Sequence, residues 1–253
     1  MRAPRSVLIT GASSGIGAAL AVEYAAPGVR LALCGRDPDR IGAVAESCRA
    51  KGAAPAARVL DVTDEANVAA WIDEVDDAAP LDLVIANAGV AGSRFGAGEG
   101  DAAVRRLFAV NVDGVVNTVL PALARMRARR RGQIAIMSSL AAFRGFPGAP
   151  AYSASKAAVR AWGEALRGRH ARDGVEISVI CPGFVVSRMT ADNPFPMPML
   201  MSAERAAGIV RRGLTRNRGR IAFPWPMYAL ARLVAALPDR LIDPIMRRLP
   251  EKE

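Results

Sequence analysis

The sequence predicts an α/β fold, a doubly wound parallel β-sheet with helices on both faces, in one domain over residues 1–253. Three observations lead there. Short runs rich in Val, Ile and Leu recur along the chain, and their near-continuous apolar character suits strands buried on both faces, hence a parallel sheet. Segments with helical spacing of apolar residues lie between these runs, and that alternation builds right-handed βαβ units. Ala, Val, Leu and Gly are abundant while aromatics make up only 5% of the chain, a mix suited to helices packed closely on a sheet. With 51% apolar residues the chain can bury a substantial core, and neither an internal linker nor a repeat divides it.

Taken in order, "SVLIT" (6–10), "LALCG" (31–35), "ARVLDV" (57–62), "LDLVIANAG" (81–89), "QIAIMSS" (133–139) and "EISVICPG" (176–183) read as strands, and "RIAFPW" (220–225) offers a last one. A helix over 102–126 follows from Val104, Leu107, Phe108, Val112, Val115, Val119, Leu123 and Met126. Another starts at Ser202, a suitable N-cap with Glu204 behind it. The tail carries two basic amphipathic segments, "MYALARLVAALP" and "DRLIDPIMRRLP", placing variable helices at about 226–249. Arg232 and two early prolines argue against a membrane span in 221–238. A core-covering or subunit-contact role is expected there, with weak contact at a membrane surface as the alternative.

The formal charge of +10 raises the question of nucleic acid. Only Lys51, Lys156 and Lys252 are lysines; the other basic residues are scattered arginines, densest in "ARMRARRRG" (124–132). No aromatic residues interleave with them, so a solvated basic surface is expected and no nucleic-acid partner. Cys34, Cys48 and Cys181 form no CxxC pair, which argues against a zinc site or a disulfide framework and fits a reducing cytoplasm. No metal is expected. The apolar stretch of "MRAPRSVLIT" is too short for a signal peptide.

The first strand runs into "TGASSGIG", with Gly11, Gly15 and Gly17 opening a helix. A phosphate needs close backbone approach without a Cβ, and the helix start adds free N–H groups and partial positive charge. The spacing GxxxGxG differs from the GxGxxG of the commonest dinucleotide folds.

Further motifs stand in register with that loop: "NAG" at 87–89, Asn111 in "NVDG", Ser139, Tyr152 and Lys156 in YxxxK, and "PG" at 182–183. Together, from residue 6 to about 190, they resemble the classical short-chain dehydrogenases/reductases. The resemblance implies a Rossmann-like fold, a small-molecule substrate, a homodimer or homotetramer joined through 101–130 and 151–171, and a nicotinamide cofactor. Thr10, Gly11, Ser13, Ser14, Gly15, Ile16 and Gly17 would hold its phosphates. Asp61 and Val62 would lie at the adenine, and Asn87, Ala88 and Gly89 beside the cofactor, with Asn87 tying neighbouring strands. NAD-preferring members usually carry a carboxylate at the end of the second strand. Here Gly35 is followed by Arg36, whose guanidinium suits a 2′-phosphate, so NADP(H) is favoured. Asp37, one residue late for the ribose, keeps NAD(H) as the alternative.

Free tyrosine titrates near pH ~10, too high for a good base at neutrality. A cation lowers that value, and Lys156 stands at i+4. The resemblance makes Tyr152 the acid/base, Lys156 its modulator and a ligand of the nicotinamide ribose, Ser139 the partner of the substrate carbonyl, and Asn111 the holder of a relay water. Each has a bland reading: a surface Tyr/Lys pair, a strand-end serine confusable with Ser138, a helix-kink asparagine. Pro182, Gly183, Val185 and Ser187 would border the nicotinamide, Ser187 standing where the family usually has threonine. Residues 188–205 resemble the substrate-covering loop. Phe195, Met197, Met199, Leu200 and Met201, together with Phe143, Phe146 and Met189, point to a hydrophobic carbonyl or alcohol. Two other classes remain: an idle nucleotide-sensing protein of the same fold, and a membrane-surface-binding protein.

Overall fold

The computed structural model describes residues 3–91, 100–191, 193 and 196–246. Among these, seven parallel strands form one sheet in the order β3-β2-β1-β4-β5-β6-β7. They are β1 Ser6–Ile9, β2 Arg30–Gly35, β3 Ala54–Val59, β4 Leu83–Ala86, β5 Gly132–Met137, β6 Val175–Pro182 and β7 Arg220–Phe223. Chain order reverses between β1 and β4, so the loops leaving their carboxyl ends part and open a crevice.

Alternation along the strands explains their unbroken apolar runs. Val7, Ile9, Leu31, Leu33, Leu83 and Ile85 enter one hydrophobic core, and Leu8, Ala32, Cys34, Val84 and Ala86 enter another across the sheet. Helices α1 (Gly15–Tyr24) and α2 (Pro38–Arg49) close the first core, together with the later helix Ala203–Thr215. Helix α3 (Glu65–Ala78) closes the second with Val68, Trp71 and Ile72.

Strand β3 lies three residues earlier than the apolar run 57–62 suggests. It is the sheet edge and almost wholly exposed, whereas Leu60 and Val62, just past its end, are buried. The apolar signal therefore marks the chain's return to the core, and Pro55 is tolerated because an edge strand leaves one side unpaired.

The helix expected over 102–126 divides into α4 (Asp101–Phe108), a π-helical turn Ala109–Asp113 and α5 (Gly114–Ala128). The π turn rotates the apolar stripe: Phe108 is exposed while Val115, Val119, Leu123 and Met126 are buried. This segment is long and apolar enough to cross a membrane, but half of its apolar window is buried within the protein, as in a core helix.

The remaining helices are α6 (Pro150–Arg169), α7 (Arg188–Ala191), α8 (Ala203–Thr215), α9 (Trp225–Ala236) and α10 (Asp239–Met246). Ser202 caps α8 by accepting from the Arg205 N–H at 3.2 Å, as expected. No residue of α9 is fully buried; Met227 and Tyr228 cover only a small cluster around Leu140, Val179 and Cys181. Arg144 clasps the tail through the Leu237 carbonyl (3.3 Å) and Asp239 (2.7 Å). Residues 247–249 of the expected tail helices lie outside the described residues.

The dense basic run is neutralised locally. Arg125 binds Asp73 and Asp77 at 2.6 and 2.5 Å, Arg127 binds Asp173 at 2.9 Å, Arg129 binds Asp76 at 2.8 Å and Arg131 binds Asp82 at 3.0 Å. Much of its charge is thereby spent on binding α3 and the surrounding loops to the end of α5.

Candidate active site

The glycine loop leaves β1 inside the crevice. Gly11 has a φ of +65°, and a Cβ there would lie 2.7 Å from Ala88 Cα. A Cβ on Gly17 would overlap the Gly11 carbonyl oxygen and come within 2.5 Å of Asn87 Nδ2. Ser14 precedes α1 without capping it, and the first turn holds no carboxylate. The first-turn N–H groups of α1 are thus left without a side-chain cap or a nearby carboxylate, a start that could accept an anion.

Thr10 and Asn87 are turned inward as braces. The Thr10 hydroxyl accepts from the N–H groups of Asn87 (3.1 Å) and Ala88 (3.3 Å), and Asn87 Nδ2 donates to the carbonyls of Thr10 (3.0 Å) and Gly11 (3.1 Å). This is the strand-tying arrangement anticipated for Asn87. Ser13 packs over Gly35, its Cβ 2.8 Å from where a Cβ of Gly35 would stand.

Arg36 follows β2, half exposed, with its guanidinium 4.0 Å from Asp61. Asp61 in turn accepts from the Thr63 N–H and hydroxyl, both at 3.0 Å. Asp37 is committed elsewhere: it caps α2 by accepting from the Arg40 N–H at 3.0 Å, and that bond holds its carboxyl below the ordinary range. Val62 is buried, and its carbonyl accepts from Asn117 Nδ2 at 3.0 Å.

Four candidate catalytic side chains come from three elements. Ser139, just after β5, accepts from the Ala141 N–H at 3.1 Å and is hydrogen-bonded to Tyr152. Ser138 points the other way, buried, and donates to the Lys156 carbonyl at 2.8 Å. Tyr152 and Lys156 stand one turn apart on α6, with Nζ 5.9 Å from the ring centroid. Asn111 sits in the π turn. Its Oδ1 accepts from the Val90 N–H at 2.8 Å, while Nδ2 donates to the Val90 carbonyl (2.9 Å) and to Ser155 Oγ (3.1 Å). The bland reading of Asn111 as a backbone-binding residue thus describes part of what it does. A Cβ on Gly89 would lie 3.2 Å from both Asn111 Oδ1 and Lys156 Nζ, so these three residues meet at one point.

The electrostatics differ from the sequence expectation. Burial pushes the Tyr152 phenol up, opposed by the hydrogen bond with Ser139. Lys156 is 3% exposed, donates to the Met137 carbonyl at 3.1 Å, and burial brings its ammonium down to about 8. The cation is itself disfavoured here, because little around it replaces water.

Below pH 8 the folded state carries a charged Lys156 where the unfolded chain holds its proton more readily, so the residue destabilises the fold. The folded state releases that proton first, and this burden is lifted between pH 8 and 10.5. Lys156→Met should therefore be roughly 2 kcal/mol more stable than wild type at pH 7, the lost hydrogen bond included, and its advantage should shrink as pH rises towards 10. Urea midpoints of both proteins across that range check it.

The loop after β6 closes on the crevice. The Gly183 N–H donates to the Phe223 carbonyl at 2.7 Å, next to Pro182, and Val185 forms a parallel bridge with Met201. Ser187 Cβ lies 3.0 Å from where a Cβ of Gly15 would be, which brings this loop against the glycine loop. Sequence reading missed Thr190. Its hydroxyl accepts from the Ser187 N–H at 2.9 Å and lies 2.9 Å from the Val185 carbonyl, pinning the segment. The detectable signal was a hydroxyl residue three places after Ser187, a pattern that folds back on its own backbone.

The expected substrate residues part company. Met201 is buried in the main core as the partner of Val185, so it does not line a cleft. The Phe143 ring is held by the Tyr228 ring (centroids 5.5 Å apart) and by the guanidiniums of Arg160 (4.7 Å) and Arg220 (5.5 Å). Phe146, Met189, Met199 and Leu200 are exposed, and Met197 is half-buried. Phe195 lies outside the described residues. Among the described residues no group of three or more His, Cys, Asp or Glu could hold a metal ion.

Comparison with known proteins agrees with this geometry. The short chain dehydrogenase family model matches residues 5–195. A Myxococcus xanthus protein named an uncharacterized oxidoreductase is 39% identical over 246 residues, covering 97% of each chain. A short-chain dehydrogenase/reductase from Burkholderia phymatum in complex with NAD superposes with a TM-score of 0.83 at 25% identity, over 100% of this chain and 98% of that one. A short-chain dehydrogenase from Sphingobium yanoikuyae in complex with NADPH gives 0.80 at 26% identity, over 98% and 97%.

Proposed function

We propose, on the premise that the chain belongs to the short-chain dehydrogenase/reductase family, that it interconverts a carbonyl and a secondary alcohol on a hydrophobic substrate with NADP(H), using Tyr152 as acid and base. Membership carries NAD(P)-dependent oxidoreductase activity and binding of a nicotinamide cofactor; family enzymes act on small molecules, are commonly oligomeric and are generally soluble. The finer reading rests above all on Tyr152 standing between Ser139 and Lys156, with Lys156 and Asn111 meeting at Gly89.

In this reading the first-turn N–H groups of α1 and the glycine loop hold the pyrophosphate, Ser13 and Arg36 the adenosine side, and the loop Pro182–Ser187 the nicotinamide. The bound nicotinamide supplies or takes up the hydride. Ser139 orients the substrate oxygen, and Tyr152 delivers a proton to it in reduction or removes one in oxidation. Buried Lys156 steadies negative charge at the phenol oxygen, with Asn111 holding the neighbouring backbone in place. One domain carries both cofactor and chemistry. We place subunit contacts of a homodimer or homotetramer on α4–α5 and α6, where Leu120 is exposed, and the enzyme in the cytoplasm, in keeping with three unpaired buried cysteines.

NADP(H) is favoured because Arg36 is half exposed and only loosely engaged by Asp61, while Asp37 is used up as a helix cap. The test is Arg36→Ala. A charge-assisted bond of 1.5–3 kcal/mol predicts roughly a 10- to 150-fold rise in KM for NADPH, with KM for NADH within about threefold of wild type. Wild-type preference for NADH would overturn the cofactor assignment.

A further inference from the structure

We propose that the cleft between α8, β7 and the start of α9 docks the protein on an anionic phospholipid surface. The cleft, about 250 Å³, is lined by Arg212, Arg216, Arg218 and Arg220 together with Trp225 and Tyr228. Its arginines contrast with those of the run 124–132, where most are paired with carboxylates. Of the four, Arg220 alone has a carboxylate partner among the described residues, Glu164. Three exposed guanidiniums gathered around one cleft repel one another, and an anion relieves that repulsion.

Beside the cleft stands an apolar helix turned outward. In α9 no residue is fully buried, Trp225 is 72% exposed, and Leu230 and Leu233 are each 59% exposed. Arg232 is the one charged residue in this helix. Indole at the junction of a cationic cleft and an exposed apolar face suits the boundary between lipid headgroups and acyl chains. Cationic residues reach the phosphates while the leucines enter the acyl region.

Charge decides between occupants. A second copy of this chain brings another +10 and the same unpaired arginines, and a nucleic acid leaves Leu230 and Leu233 in water. An anionic bilayer satisfies both halves of the surface. Arg220 and Tyr228 also pack on Phe143, four residues beyond Ser139, so the docking face adjoins the region where we place the substrate. That last link depends on the proposed function; the docking does not.

The experiment is sedimentation of the full chain with large unilamellar vesicles, of phosphatidylcholine alone or with roughly a third phosphatidylglycerol. Binding is expected only to the anionic vesicles, weakening as salt screens the charges. At about 1 kcal/mol per arginine near an anionic surface, Arg212→Gln/Arg216→Gln/Arg218→Gln should weaken it roughly 100-fold. Trp225→Ala should weaken it several-fold. Unchanged circular dichroism and melting of the variants would show that the fold is intact. Four results would overturn the proposal: no binding at low salt, equal binding to neutral vesicles, full binding by the triple variant, or saturation of the cleft by glycerol phosphate as tight as that by vesicles, which would make it a soluble-anion site. None of these readouts uses turnover, so their failure leaves the proposed activity untouched.

Discussion

Tyr152→Phe is expected to lower kcat roughly 10³-fold on lipophilic ketones while leaving the Kd for NADPH within about twofold. The substitution removes one hydroxyl and with it the bond to Ser139, which keeps its bond to the Ala141 N–H. Because burial holds the phenol above its ordinary range, Tyr152 carries its proton at neutral pH and stands ready as the acid of carbonyl reduction. The reverse reaction needs that proton removed, so alcohol oxidation by the wild type should quicken as pH rises through the alkaline range. Steady-state rates in both directions, with NADPH fluorescence titration of wild type and variant, separate a lost proton donor from lost cofactor binding.

Gly17→Ala is expected to raise the Kd for NADPH by at least ~100-fold and to lower the melting midpoint. The added Cβ overlaps the Gly11 carbonyl and crowds Asn87 Nδ2, both backed by the bonds that join the β1 and β4 loops. Neither neighbour can yield without opening the glycine loop. Overpacking of this kind costs about 1–3 kcal/mol, which for a chain of this size corresponds to a drop of roughly 2–12 °C. Gly42→Ala is the control. It lies within α2, a Cβ there meets nothing within 4 Å, and it should stabilise by roughly 0.5–1 kcal/mol with NADPH binding unchanged. Calorimetry and cofactor titration of the three proteins check both statements.

Much of the fold was legible because parallel strands buried on both faces leave unbroken apolar runs, as Val7, Leu8 and Ile9 do in feeding two cores at once. The same rule misplaced β3, since an edge strand is not buried and the signal moved to Leu60 and Val62. A π turn leaves helical spacing nearly intact, so 102–126 read as one helix, although Asn111 could be singled out by its register with the other motifs. Ser139 and Ser138 are chemically identical neighbours; strand alternation turns one inward to the Lys156 carbonyl and leaves the other at Tyr152. The stack around Phe143 depends on where the chain returns in three dimensions, which no local pattern encodes. The lowered ammonium of Lys156 is likewise a consequence of burial, invisible in the spacing that suggested its partnership with Tyr152.

The most direct test of the central claim is isotope transfer. NADPH dideuterated at nicotinamide C4, incubated with a panel of lipophilic ketones, should yield secondary alcohols carrying one deuterium on the carbinol carbon, at a rate that falls roughly 10³-fold in Tyr152→Phe. Tight NADPH binding with no deuterium reaching any ketone, or equal transfer by the wild type and Tyr152→Phe, would contradict it.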